Sequence, residues 1–410
     1  GMSSSFWLSW ASKNRGGIMK RFLAITLVMI LTATGCAPSF DKSEVVEDDT
    51  DTENTEKESI IPEYQISDQY YQTLLPYETS DTRGLVTSNI NTRLDLEEFE
   101  TGLMRLSQDP FPTDEYVFRE GQVISKATVT SWLQRKYTSA QLKEKKMTAD
   151  ENMGLNPVDD GKGDIEERYE KNPEYLAHIL EHNYLVKSDN NKVTLGGISI
   201  GLALNSVFYY QKEKYGETYE IKIDAKTLQE KGEEIAAEVV KRVRGLEGAK
   251  DVPILIALFE QESKDSVVPG NFISYTVINA NSSKISKWKN VDEDYFLFPS
   301  SSAEEKHRDD ASTFSNFKDD VEEYFPNYNG VIGKAFYVNE EMKKLTISID
   351  MQFYSKSEVI GFTQYVAGLV MDHFPDYLEV ETKITSSNGQ ESLIVKEVDD
   401  KEPYVYIYNE

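Results

Sequence analysis

Apolar positions along the chain keep two periods, and the places where the period changes predict the elements. Leu96, Phe99, Leu103 and Leu106 recur at steps of three and four, one face of a helix, with Asp95 and Glu98 as a capping box at its start. A second helix is expected from 173 to about 183, and residues 156–163 between the two are rich in turn formers. Residues 62–192 therefore read as a helix-rich α+β part.

Downstream the pattern runs twice through one order. An apolar strand at 199–205, an alternating strand at 219–224, a helix near 228–246 and strands at 254–259 and 272–278 make the first run. Strands at 331–339 and 345–353, a helix at 358–374 and strands at 378–384 and 393–398 make the second. Asn205 answers Asn339, and Asp224 answers Asp350. Ile235, Val239, Val243 and Leu246 form the buried stripe of the first helix. Val359, Phe362, Val366, Leu369 and Val370 form that of the second, with Ser357 as cap and Pro375 as stop. The prediction is an α+β fold: the helix-rich N-terminal part, then two repeated ββαββ units at 193–279 and 331–410. Each unit is expected as an antiparallel sheet with one helix across a face. The connection at 280–330 is too long for a passive loop; its Trp288, Tyr295, Phe296, Phe298, Phe314, Phe317 and Phe325 read as buried packing.

Upstream of residue 62 the periodicity stops. Residues 36–61 hold a run of acids from Asp48 to Glu58 and read as a disordered acidic tether with a reach of roughly 25–30 Å. Asp49-x-Asp51-x-Glu53 inside it lacks the turn glycine of a calcium loop and has Ile60 where the bidentate Glu belongs. Residues 19–35 are of another kind. Lys20-Arg21 and the 13-residue apolar run from Phe22 to Thr34 make a secretory signal peptide, short of the roughly 20 residues a membrane span needs. Ala33-Thr34-Gly35-Cys36 resembles a bacterial lipobox, which implies cleavage between Gly35 and Cys36 and an acylated, palmitate-bearing N-terminus on Cys36. Residues 1–18 read as a non-native extension, since Gly1 before Met2 looks like a tag remnant and residues 15–19 can be encoded by a purine-rich ribosome-binding sequence.

Composition narrows the partners. The formal charge of −27 repels phosphate backbones and bare anionic membranes, so nucleic acid is excluded and membrane contact is assigned to the lipid on Cys36. One cysteine excludes internal disulfides and Cys-built metal sites. No cofactor is expected.

The one constellation that matches a catalytic pattern is His178-Ile-Leu-Glu181-His182, an H-x-x-E-H string on a predicted helix. Two His one helical turn apart would hold zinc and Glu181 would activate its water, with Glu260 or Glu262 as third ligand. That gives the alternative reading, a membrane-tethered extracellular zinc hydrolase. No nucleophile elbow, P-loop or dinucleotide fingerprint accompanies it, and the body is read as non-enzymatic.

Several stretches point to one family when taken with the lipobox. They are Ser67-Asp-Gln-Tyr-Tyr71, Leu75-Pro-Tyr77, Arg83-Gly-Leu-Val86, Arg93-Leu-Asp-Leu-Glu-Glu-Phe-Glu-Thr-Gly-Leu-Met-Arg105, Tyr324-Phe-Pro-Asn327 and Gly330-Val-Ile-Gly333. Together they resemble the CamS-type sex pheromone precursor lipoproteins of Gram-positive bacteria. The resemblance implies a protein lipid-anchored on the extracellular face of the cell membrane. It also implies that the cleaved signal peptide yields a short hydrophobic mating signal, read by a receptor on recipient cells. That peptide falls on Met29, Ile30, Leu31, Thr32, Ala33, Thr34 and Gly35, of which Thr32, Thr34 and Gly35 depart from the family's Ala/Ile/Leu/Phe-rich composition. The ligand of the globular body is not named by the resemblance.

Overall fold

A computed structural model describes residues 43–49, 57–325 and 328–409. The chain groups into two units, Gly1–Glu44 and Val45–Glu410. The leader, Cys36 and residues 29–35 lie outside the described residues, as do Asp51 and Glu53. Among the described residues no helix is long and apolar enough to cross a membrane.

The N-terminal stretch holds more order than its composition predicts. Strands β1 (Glu44–Asp48) and β2 (Lys57–Ile61) lie inside the expected tether and pair with each other. Val46 and Ile61 bury into a small cluster with Leu74, Val117, Leu185 and Val193. Burial alternates along both strands, but the inward positions are one apolar and one polar in each, Val46 with Asp48 and Ser59 with Ile61, and buried Asp48 meets Arg119 at 2.8 Å, so hydropathy alone hides them. The short strand β3 (Gln72–Thr73) precedes helices α1 (Arg83–Asn89) and α2 (Arg93–Ser107). The stripe expected on α2 is present, with Phe99 and Leu103 fully buried. Its cap differs: Thr92 accepts from the Asp95 amide, and Asp95 is the third helical residue. Next come β4 (Val117–Glu120), α3 (Lys126–Trp132), α4 (Ser139–Lys145) and α5 (Ile165–Lys171).

The helix expected at 173–183 is a strand, β5 (Leu176–Lys187), in which residues 178–185 are all buried. Both of its faces are covered, so the alternation that would announce a half-buried strand is missing. It pairs antiparallel with β6 (Lys192–Asn205). The alternating segment near 219–224 does not join the main sheet: β7 (Val207–Gln211) and β8 (Thr218–Lys222) form a separate hairpin. Helix α6 (Ala225–Arg244), capped by Asp224, then crosses to β9 (Ile254–Gln261), which lies parallel to β6. Strands β10 (Asn271–Ile278) and β11 (Lys289–Asn290) complete a nine-stranded sheet of order β11-β10-β9-β6-β5-β4-β3, with β1 alongside β6 and β2 beside β1. Helices α1 and α2 cover one face through Val86, Phe99 and Leu103; α3 and α6 cover the other through Trp132, Val239 and Val243.

The aromatic connection at 280–330 packs as expected. It supplies β12 (Glu293–Phe298), α7 (Ser301–Lys306) and α8 (Arg308–Tyr324), and Phe298, Phe314 and Phe317 enter the second core. That core is closed by β13 (Tyr328–Val338), β14 (Glu341–Met351), α9 (Lys356–His373), β15 (Glu379–Ser386), β16 (Gly389–Lys396) and β17 (Tyr404–Ile407), in a six-stranded sheet of order β12 to β17. Helices α8 and α9 lie on one of its faces. Ser355, not Ser357, caps α9. Buried Lys396 donates to the carbonyls of Pro375, Asp376 and Leu378 just beyond its end.

The fold is α+β, and the ββαββ order occurs twice. In the structure its first run is β5-β6-α6-β9-β10, with the β7–β8 hairpin inserted before α6, and its second β13-β14-α9-β15-β16; the first therefore opens with the segment expected as a helix and does not include the strand expected at 219–224. Each is antiparallel except at the pair flanking its helix, β6 with β9 and β14 with β15. A right-handed crossover helix is what joins two parallel neighbours. The equivalences read from spacing do not hold. Asn205 ends a second strand, whereas Asn339 sits in the turn between a first and a second strand at φ 51°; Asp224 caps a helix, whereas Asp350 lies within β14. The halves are pinned by Arg105 of α2, whose guanidinium meets Glu98 of its own helix and, at 2.6 Å, Glu293 of β12. Tyr295 of β12 donates to Glu98 at 2.6 Å.

Candidate functional site

Strand geometry decides what His178, Glu181 and His182 do. Side chains alternate along β5, so the two histidines share one face and Glu181 points to the other. Four residues of strand separate the histidines by about 13 Å, too far for one metal ion. Glu260 and Glu262 lie at and just past the end of β9, two strands from β5 in the sheet order. Among the described residues no three His, Cys, Asp or Glu side chains group as metal ligands. The zinc reading fails because it needed a helix.

Each residue of that string has a packing role. The Glu181 carboxylate accepts the backbone N–H groups of Gln122, Val123 and Ile124 at 2.7–3.2 Å and the Asn183 amide at 2.6 Å. Burial pushes its acidity down, raising the pKa, while those donors pull it back. Gly121 lies against it so closely that a Cβ there would stand 2.6 Å from the Glu181 side chain. His178 Nδ1 meets the Asn89 amide at 3.2 Å, and His182 packs edge-on to Phe118. Burial lowers their pKa values to about 4 and about 3, in His182 with help from the Arg83 charge.

Beyond the carboxyl ends of β6 and β9 the surface opens into a cleft of about 380 Å³ between α1, α3 and the β7–β8 hairpin. Its side chains are positioned by an amide chain. Fully buried Gln261 accepts from the Asn91 backbone at 3.0 Å and donates to Asn205 Oδ1 at 2.7 Å. Asn205 in turn donates to the Glu174 carbonyl at 2.8 Å, and Asn91 Nδ2 to the Glu262 carbonyl at 3.2 Å. Phe208 and Tyr209 of β7 both line it, and the Phe208 ring packs against Tyr169 and Tyr210. The sequence gives no motif for this cleft, because its members come from five separate segments. Around the same strand ends, Asp95 accepts from the amides of Gly270 and Glu262. Burial raises Asp95 to about 6; burial together with Asp95, Glu260 and Asp294 raises Glu262 to about 7.

The stretches that carried the family resemblance are structural contacts. Tyr71 donates to the Phe111 carbonyl at 2.5 Å, Arg83 holds Glu120 at 2.6 Å, residues 93–105 lie within α2, and Phe314 lies over Gly333. The family model of the CamS sex pheromone cAM373 precursor matches residues 77–402. The chain belongs to this CamS family. Among solved structures it resembles a sex pheromone precursor from Lactobacillus salivarius subsp. salivarius UCC118, with 34% identity, a TM-score of 0.76, and 85% of this chain and 98% of that chain covered. It also resembles the C-terminal domain of the sex pheromone staph-cAM373 precursor from Staphylococcus aureus, with 35% identity, a TM-score of 0.69, and 78% and 99% covered. A comparison with curated proteins returns no match.

Proposed function

We propose that this CamS protein is a lipid-anchored surface precursor with two products. Residues 19–35 direct export, Cys36 receives the diacylglyceryl group, and cleavage before it frees a leader that is trimmed to a hydrophobic signal at residues 29–35. The body stays on the extracellular face and binds an envelope or extracellular component without catalysing a reaction. Membership of a pheromone-precursor family across residues 77–402, in a chain whose leader ends Ala33-Thr34-Gly35-Cys36, carries this reading. Its likeness to two solved sex pheromone precursors supports it.

In cells expressing the full gene, Cys36→Ser is expected to move the protein from the membrane fraction to the medium or to the uncleaved pool. Retention of a processed C36S protein on the membrane would sink the anchoring role. Synthetic peptide 29–35 is expected to clump plasmid-bearing recipient cells, and inactivity across a full dose range removes the signalling role alone.

A further inference from the structure

The cleft beside the β7–β8 hairpin differs from the rest of this acidic molecule. Its lining holds one carboxylate, Glu174, and one ammonium, Lys264. Both are engaged: Glu174 pairs with Arg135 at 3.2 Å, and the Lys264 ammonium lies 4.4 Å from the centre of the Tyr209 ring. The Glu174 carboxylate is thus balanced by Arg135, and the Lys264 ammonium is held over the Tyr209 ring at one side of the cleft, on a chain of net charge −27.

The cleft offers fixed, neutral hydrogen-bonding groups beside aromatic rings. Asn89 and Asn91 use their amide nitrogens for internal bonds and have amide oxygens without a protein partner among the described residues; the Thr130 hydroxyl is in the same position. Buried Gln261 holds Asn91 and Asn205 in place, so their geometry is set before a ligand arrives, which lowers the entropy cost of binding. The volume lies within the range of small-ligand pockets, and the cleft opens beyond the carboxyl ends of two parallel strands, where sheets of this kind take ligands.

Rich in acceptors and hydroxyls, without an exposed carboxylate lacking a cationic partner, and lined by Phe208 and Tyr209, the cleft matches a polyhydroxylated ring with an apolar face. We propose that it binds a neutral oligosaccharide. This rests on the binding role proposed for the body and is independent of leader processing.

The test is calorimetric titration of the full chain carrying Cys36→Ser with maltotetraose, cellotetraose and chitotetraose, and with a neutral, blocked tetrapeptide as control. Saturable binding to at least one tetraose is expected, nearly unchanged between about 0.05 and 0.5 M salt because no charge pair is involved. Phe208→Ala and Asn91→Ala are expected to weaken it about tenfold or more. Thr130→Val, at an exposed position, is expected to weaken it several-fold with no change in Tm, and it keeps the test decisive if either of the others unfolds. Absence of tetraose binding up to about 10 mM, binding that none of the three variants reduces, or binding of the peptide alone overturns the proposal. If another envelope component binds while the saccharides do not, the proposal falls and the binding role of the body stands.

Discussion

Glu181 carries a carboxylate into nearly complete burial and accepts three consecutive backbone amides of the loop that follows β4. Glu181→Ala strands those three N–H groups, and a loss of about 3–5 kcal/mol in urea unfolding is expected. The histidines beside it make an acid-sensitive pair. Their folded pKa values of about 4 and about 3 lie below the ordinary 6.5, so between those limits the unfolded chain binds more protons. The stability they contribute is present above pH 6.5 and is lost as pH falls toward 4. His182→Phe, close in volume, is expected to flatten that fall in a Tm–pH series. Glu262 works in the opposite direction. Its folded pKa, raised to about 7, means the folded state holds the extra proton between about 4.5 and 7, and the resulting stability is lost as pH rises through 7. Glu262→Gln is expected to raise Tm at pH 8 and to leave it unchanged near pH 4.5; an unchanged difference across that range would refute the assignment.

At the level of elements, β6 shows how glycine sites serve packing. Gly197 and Gly201 lie under the rings of Phe111 and Phe99, and a Cβ at Gly201 would stand 2.7 Å from Phe99. Gly197→Ala brings a methyl into the Phe111 ring, and a loss of about 1–3 kcal/mol with reduced near-ultraviolet ellipticity is expected. These glycines form no phosphate loop; they make room for aromatic side chains from the segment that covers the strand. Helices α6 and α9 were legible because each has one apolar face and one wet face. β5 was not, because it is buried on both. Steps of three and four from Leu176 to Ile179 and Leu180 imitate a helix once alternation has gone.

Across the whole molecule, Arg105 is the electrostatic link between the two sheets. It sits between the nearly buried carboxylates of Glu98 and Glu293 and lies 4.6 Å from the centre of the Phe336 ring. Burial and the nearby Glu293 charge raise the Glu98 pKa, and Arg105 holds that rise back. Arg105→Ala leaves two buried carboxylates facing each other, so a loss of about 3–5 kcal/mol is expected, with calorimetric unfolding in two transitions as the halves uncouple. Adding Glu98→Gln and Glu293→Gln to that variant is expected to recover most of the loss. A single unshifted transition in Arg105→Ala would show that β10 against β12 holds the halves without it.

Local pattern alone determined the α+β class, the positions of α2, α6 and α9, the strands of the second ββαββ run and the aromatic packing of residues 280–330. Each follows from the residue's own neighbours in the chain, through period, caps and turn formers. Tertiary structure decided what depends on distant partners: that 176–187 is a strand, that 44–48 and 57–61 join a sheet, and that β7 and β8 leave it. It also decided that His178 and His182 stand apart while Asn91, Asn205 and Gln261 meet. Burial and convergence are properties of pairs far apart in the chain, and no window along the sequence contains them.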